Sequence, residues 1–114
     1  MSNLADIVQF NVTRGLVTFN GEAEYTMLTE ELNELKLALD TLNEYEMVDA
    51  LCDLIVVATG AIYKLGYDPD EALGETVREI NSRRGTFNET TGKWEKDPNQ
   101  DPETLYKANY FKMR

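Results

Sequence analysis

The chain has 114 residues, enough for one domain with a real core and too few for two. Its net charge of −10 argues against a nucleic-acid polymer as partner, because phosphate repulsion would dominate, and no apolar run nears the ~18 residues of a membrane span. The lone Cys52 cannot close an internal disulfide, and with no histidine in the chain to activate it, it reads as a small buried hydrophobe. The N-terminus MSNLADIVQF lacks the basic flank and apolar block of a secretory signal, so a cytoplasmic setting is expected.

In chain order, Leu4, Ile7, Val8 and Val12 predict a short helix from Leu4 to about Arg14, closed near Gly15. Leu16 to Gly21 is β-leaning, with Asn20-Gly21 as a turn. From about Glu22 to Leu42, Leu28, Leu32, Leu35, Leu39 and Leu42 form a continuous helical stripe expected to face the core. On a wheel at ~100° per residue, Glu31 falls about 60° from Leu28, beside the stripe, and Glu30 is turned further away.

Asn43 is a break before a helix from Glu44 or Tyr45 to about Leu65, in which Asp53 is the only charge between Ala50 and Tyr63. A helix this apolar is central to a bundle or covered by another subunit, so a homodimer or homotetramer is expected. Gly66 caps it, and Asp68-Pro69 starts a helix over 69–83 carrying Leu73, Val77 and Ile80. Residues 86–102 read as an irregular, polar stretch rich in turn formers, and Glu103 to Phe111 as a short helix packed back on the body. The prediction is a single all-α domain over residues 1–114, a four-helix bundle with an irregular basic C-terminal tail.

Charge is distributed unevenly. Residues 1–77 hold 15 acidic against 3 basic groups, whereas residues 78–114 hold 6 against 8. Within the acidic part, two clusters fall in otherwise core-like helices: Glu30-Glu31-x-x-Glu34 and Glu46-x-x-Asp49-x-x-x-Asp53. An EExxE stretch by itself is ordinarily a solvated face, and two aspartates on one face can pair with arginine or lysine. The joint occurrence on successive helices favours a metal site, since carboxylates spaced i,i+3 and i,i+4 on facing helices suit a hard cation. Without sulfur or imidazole in the set, Mg²⁺ is expected, with Mn²⁺ as a substitute.

Glu30-Glu31-x-x-Glu34 followed by an acidic residue and Asp53-Leu-Ile-Val-Val resembles the MazG-like all-α nucleoside triphosphate pyrophosphohydrolases. DALCDLIVVATGAIYKLGYD looks most like the phosphoribosyl-ATP pyrophosphohydrolase branch, and the resemblance extends through VREINSRRGTFNETTGKWEKDPNQDP. It implies Mg²⁺-dependent cleavage of a nucleoside triphosphate to monophosphate and pyrophosphate, with phosphoribosyl-ATP, dUTP/dCTP or an oxidised nucleotide as alternative substrates. A non-catalytic, metal-stabilised helical assembly module is the competing class. Glu31, Glu34 and Asp53 match the family's metal ligands, and Asp49 stands for the acid that precedes the aspartate. The spacing departs from the common Glu-x-x-Asp, because position 50 is alanine. Asn11 stands where a histidine is often found. Within this scheme Glu30 or Glu46 accepts the water's proton, Arg84, Lys93 and Lys96 hold phosphate oxygens, and Asn81 orients substrate or caps its helix. Phe87, Trp94 and Tyr106 either stack on a base or anchor the tail.

Overall fold

The computed structural model describes residues 2–113. Four helices dominate: α1 (Asn3–Thr13), α2 (Gly21–Asp40), α3 (Glu44–Lys64) and α4 (Pro69–Ser82). A hairpin of β1 (Gly85–Asn88) and β2 (Lys93–Lys96) follows, then a single 3₁₀ turn, Pro102–Thr104. The class is all-α, as predicted. Among the described residues one compact unit comprises residues 2–69 with 112–113; the second is Asp70–Phe111.

The helix starts are dictated locally. Ser2, Asn20 and Asn43 sit at the N-caps of α1, α2 and α3, where their side-chain oxygens accept from the amides of Ala5 (3.0 Å), Ala23 (3.2 Å) and Glu46 (3.2 Å). The three ends share one geometry. Past each C-cap a residue turns left-handed, and the next amide reaches back to a carbonyl in the last turn: Leu16 to Asn11, Asn43 to Ala38, Tyr67 to Ile62. Gly15 (φ 71°) and Gly66 (φ 99°) take the left-handed position in α1 and α3, where a Cβ would be penalised. In α2 that position is Leu42, at φ 53° and 85% exposed. Leu42 therefore is not part of a core stripe, as the heptad spacing predicts; the three-residue α2–α3 link needs it as a corner.

In the first unit α3 packs against both α1 and α2. The inward line of α2 is Glu24, Leu28, Glu31, Leu35 and Ala38, whereas Leu32 and Leu39 are about half exposed (53% and 49%). The leucine stripe thus straddles the edge of the interface, and only one side of it is covered. In α1 the buried residue is Asn11, not Val12, because Asn11 lies two turns from Leu4 on the same face. Asn11 presses on Gly60, where a Cβ would come within 2.5 Å of its Nδ2. Lys64 of α3 donates to Glu24 of α2 (2.9 Å), with both side chains over nine-tenths buried. Among the described residues Ala38 and Ala50, each 2% exposed, are the buried hydrophobes of the helix contacts. Small residues bring α2 and α3 close, but much apolar surface stays open: Tyr45, Val48, Leu51, Ile55 and Val56 of α3 are all exposed, and so is Cys52. The expectation of a buried Cys52 is overturned, because it lies on this uncovered face.

The second unit departs from the predicted tail in two places. Residues 85–96 form an antiparallel hairpin rather than irregular chain, with Phe87 opposite Trp94 and Gly85 opposite Lys96. Asn88 organises its turn, accepting at Oδ1 from the amides of Thr90 and Thr91. The helix expected over 103–111 is absent beyond Thr104. Its amides bond to side chains of α4 instead: Tyr106 to Ser82 Oγ, Ala108 to Glu79 and Asn109 to Glu75. The Tyr106 hydroxyl also donates to Glu75, and that of Tyr110 pairs with Thr76. Tyr106 and Tyr110 therefore anchor the segment. Leu16–Asn20, predicted β-leaning, is not a strand; no neighbouring strand pairs with it.

Replacing Leu42 with glycine removes the left-handed strain at an exposed corner. Urea unfolding of Leu42→Gly is expected to show stabilisation of about 0.5–1 kcal/mol, the gain at φ being partly offset by glycine's chain entropy.

Candidate metal centre

The acidic site lies within the first unit, on the facing sides of α2 and α3. Glu31 and Glu34 are three positions apart, so both carboxylates project from adjacent turns of α2. Asp53 comes from the middle of α3, three residues beyond the close-packed Ala50. One carboxylate oxygen from each of Glu31, Glu34 and Asp53 lies within 4.8 Å of the others. Glu31 and Asp53 are half-buried and Glu34 is exposed, so the cluster opens towards solvent on the Glu34 side.

The electrostatics centre on Glu31. Its Oε2 is fully buried and has no hydrogen-bond partner. Burial first, then a hydrogen bond to Glu34 and the charges of Asp53, Glu34 and Asp49, push its pKa up to about 7 from 4.5. Like charge around a buried oxygen favours a proton or a cation at the site. Oxygens around a Mg²⁺ ion at ~2.1 Å stand roughly 3.0 Å apart in cis and 4.2 Å apart in trans, so the trio requires only small side-chain adjustment to enclose one. The all-oxygen donor set and the orphaned Glu31 oxygen fit a hard divalent ion.

The other expected site residues are placed differently. Asp49 is exposed and outside the trio, although its charge reaches Glu31. It lines an open groove of ≈ 500 Å³ with Glu44, Tyr45, Val48 and Cys52, on the uncovered side of α3. Glu46 is exposed in the first turn of α3, and Glu30 is exposed on the flank of α2; neither joins the trio. In the second unit Arg84 and Lys96 line one cavity, whereas Lys93 sits at the far end of the hairpin and Asn81 is exposed outside that cavity.

Two features escaped sequence reasoning. Glu24 lies seven residues before Glu31 on the same face, a signal present in the spacing, yet its partner Lys64 is 40 positions away. Arg83 joins Arg84 and Lys96 in their cavity, which could be found only by knowing the hairpin register.

A family model described as phosphoribosyl-ATP pyrophosphohydrolase matches residues 3–81. The chain belongs to this family. It is accordingly a pyrophosphohydrolase of the MazG-like all-α superfamily, a hydrolase acting on phosphoric anhydride bonds. The match takes in α1–α3 and nearly all of α4, the acidic trio included; it ends before the hairpin. No curated protein matches the chain. No helix among the described residues is long and apolar enough to cross a membrane.

A raised carboxyl pKa has a definite sign in stability. Between pH 4.5 and about 7 the folded state keeps a proton that the unfolded chain releases, so Glu31 makes stability fall as pH rises through that window. Thermal melts of metal-free protein are expected to show this fall, and Glu31→Gln to flatten it. At pH 8 added Mg²⁺ should raise the melting temperature of the wild type and leave Glu31→Gln nearly unmoved.

Proposed function

We propose that the chain acts as one catalytic domain that hydrolyses the α–β phosphoric anhydride of a nucleoside triphosphate group, releasing pyrophosphate, with Mg²⁺ held by Glu31, Glu34 and Asp53. The observation that carries this reading is the buried, unpartnered Glu31 oxygen inside a three-carboxylate group. Mn²⁺ satisfies the same donor set. The matched family favours phosphoribosyl-ATP as substrate. Unmodified nucleoside triphosphates, including dUTP and dCTP, carry the same triphosphate and are the second class.

A divalent ion bound at the trio would polarise phosphoryl oxygens and lower the pKa of a water in its reach. The chain's own residues do the rest. Asp49, one turn before Asp53 on α3, extends the acidic face and serves as the fourth metal ligand. Glu30 and Glu46 remain outside the trio, and one of them accepts the proton of the attacking water. Asn81, Arg84, Lys93 and Lys96 are assigned to substrate, the three cations to phosphate oxygens. A cytoplasmic setting is part of the same reading.

Asp53→Asn keeps the shape of the side chain and removes its charge. With phosphoribosyl-ATP and a panel of nucleoside triphosphates in Mg²⁺, the variant is expected to lose pyrophosphate release by about 100-fold or more while its helical circular dichroism is unchanged. A wild type that releases pyrophosphate from none of these substrates would overturn the hydrolase assignment of the site.

The exposed apolar face of α3 supports a homo-oligomer. One chain leaves Tyr45, Val48, Leu51, Ile55 and Val56 of α3 exposed, and an apolar patch of this kind marks a contact surface. A second copy of this chain is the occupant, as a homodimer or homotetramer. Sedimentation velocity is expected to show the oligomer, and Ile55→Glu at the centre of the face to shift it towards monomer.

A further inference from the structure

Two aromatic residues of the hairpin are open to solvent, Phe87 at 61% and Trp94 at 49%. Antiparallel register makes them direct partners, so both side chains stand on one face of the hairpin, together with Gly85 and Lys96. The opposite face carries Thr86, Asn88, Lys93 and Glu95, and there Asn88 donates to the Glu95 carboxylate at 3.0 Å. Gly85 shapes the aromatic face. A Cβ at this position would stand 2.7 Å from Cη2 and 2.9 Å from Cζ2 of Trp94, and it would also strike the Glu95 carbonyl. The indole therefore lies across the one strand residue that has no side chain to lift it.

One side of the indole is covered by this contact, and the other is open. Tyr106 and Tyr110 direct their hydroxyls to Glu75 and Thr76, which holds them against α4. Trp94 makes no such side-chain bond among the described residues, so with Phe87 it presents a π surface rather than an anchor. Beside that surface Lys96 joins Arg83 and Arg84 around the ≈ 200 Å³ cavity. Among the described residues neither Arg84 nor Lys96 has a carboxylate partner. A planar ligand with negative charge at one end is complementary to this arrangement: ring stacks on ring while the charged end meets the cations. Nucleotides have that form, and a purine offers the larger stacking area. A net charge of −10 disfavours a polymer, so a free nucleotide is the occupant.

We propose that Trp94 and Phe87 form the stacking surface for the purine base of the substrate nucleotide, a specificity element outside the matched family region, which ends at residue 81. That the occupant is a substrate rests on the pyrophosphohydrolase reading; the surface itself rests on the hairpin register and on Gly85. Stacking tolerates any flat base, so this surface sets affinity and a preference for larger rings rather than a hydrogen-bonded code.

Trp94 is the only tryptophan of the chain, so its fluorescence reports on the surface itself. With the full chain in Mg²⁺, excited at the red edge of indole absorption, AMP is expected to quench it saturably. Ribose phosphate, which keeps the sugar and the phosphate but has no base, should not, and CMP should need a higher concentration than AMP. Phe87→Leu keeps an apolar side chain and removes the ring; it should weaken AMP binding about tenfold, and Phe87→Tyr should restore it. The proposal is overturned if AMP leaves Trp94 unchanged, if ribose phosphate or CMP quenches as AMP does, or if Phe87→Leu binds AMP as the wild type does. A single-stranded oligonucleotide that quenches at lower concentration than AMP would give the surface to a polymer. A shift of Phe87→Leu towards monomer in sedimentation velocity would give it to a second copy; either result overturns the proposal. Pyrophosphate release is measured separately. Release without AMP quenching overturns the stacking surface and leaves the hydrolase reading intact, whereas quenching without release from any nucleotide supports the surface and overturns that reading.

Discussion

The carboxylate of Glu31 is held where α2 meets α3, with one oxygen buried and no donor to satisfy it. Burial and a hydrogen bond to Glu34, with the like charge of Asp53, Glu34 and Asp49 around it, push its pKa up to about 7. Burying a lone carboxylate costs several kcal/mol, so a fold that places one here must recover that energy from a ligand or a proton. Much of the first unit can be understood as keeping that arrangement in place. Capped helix starts, left-handed corners and a three-residue link fix the register in which a carboxylate of α3 comes opposite two of α2.

Close approach of the two helices is what makes the cluster possible. Ala38, Ala50 and Gly60 provide small surfaces at the helix contacts, and the buried Glu24–Lys64 pair lies further along the α2–α3 interface. That pair contrasts with the trio: one glutamate on the inward face of α2 has its cation within the fold, and the other, two turns on, does not. Packing with small residues also limits how much apolar area one chain can bury. The open side of α3 is the consequence, and it lies directly beside the acidic face.

The second unit solves a different problem with the same chemistry. Glu75 and Glu79 hold their carboxyls below the usual range, Glu75 chiefly through the Tyr106 hydroxyl and Glu79 through the Ala108 amide. These acids are satisfied by donors from the C-terminal segment, so they fasten chain rather than seek a metal. Cations are left over at the cavity of Arg84 and Lys96. A group of three acids and a cavity lined by Arg83, Arg84 and Lys96 therefore occur in the two halves of one sequence, the first inside the matched family region and the second outside it.

Helix positions and the grouping of three acids were legible in the sequence because their causes are local or periodic. Asn43, Gly66 and Asp68-Pro69 punctuate the chain wherever it runs, and Glu31, Glu34 and Asp53 follow a motif whose spacing places carboxylates on one face of each helix. Side-chain exposure was not legible in the same way. Leucines at 4,3,4,3 spacing define a stripe, but which edge of it is covered depends on where α3 crosses, and that leaves Leu32 and Leu39 half exposed and turns Leu42 into a corner. The hairpin, the anchoring of 106–110 by α4 and the meeting of Arg83, Arg84 and Lys96 all depend on contacts between distant positions. Sequence alone determined the helices and which acids could act together; tertiary structure decided which of those acids is deprived of a partner, because burial and pairing are properties of neighbours in space.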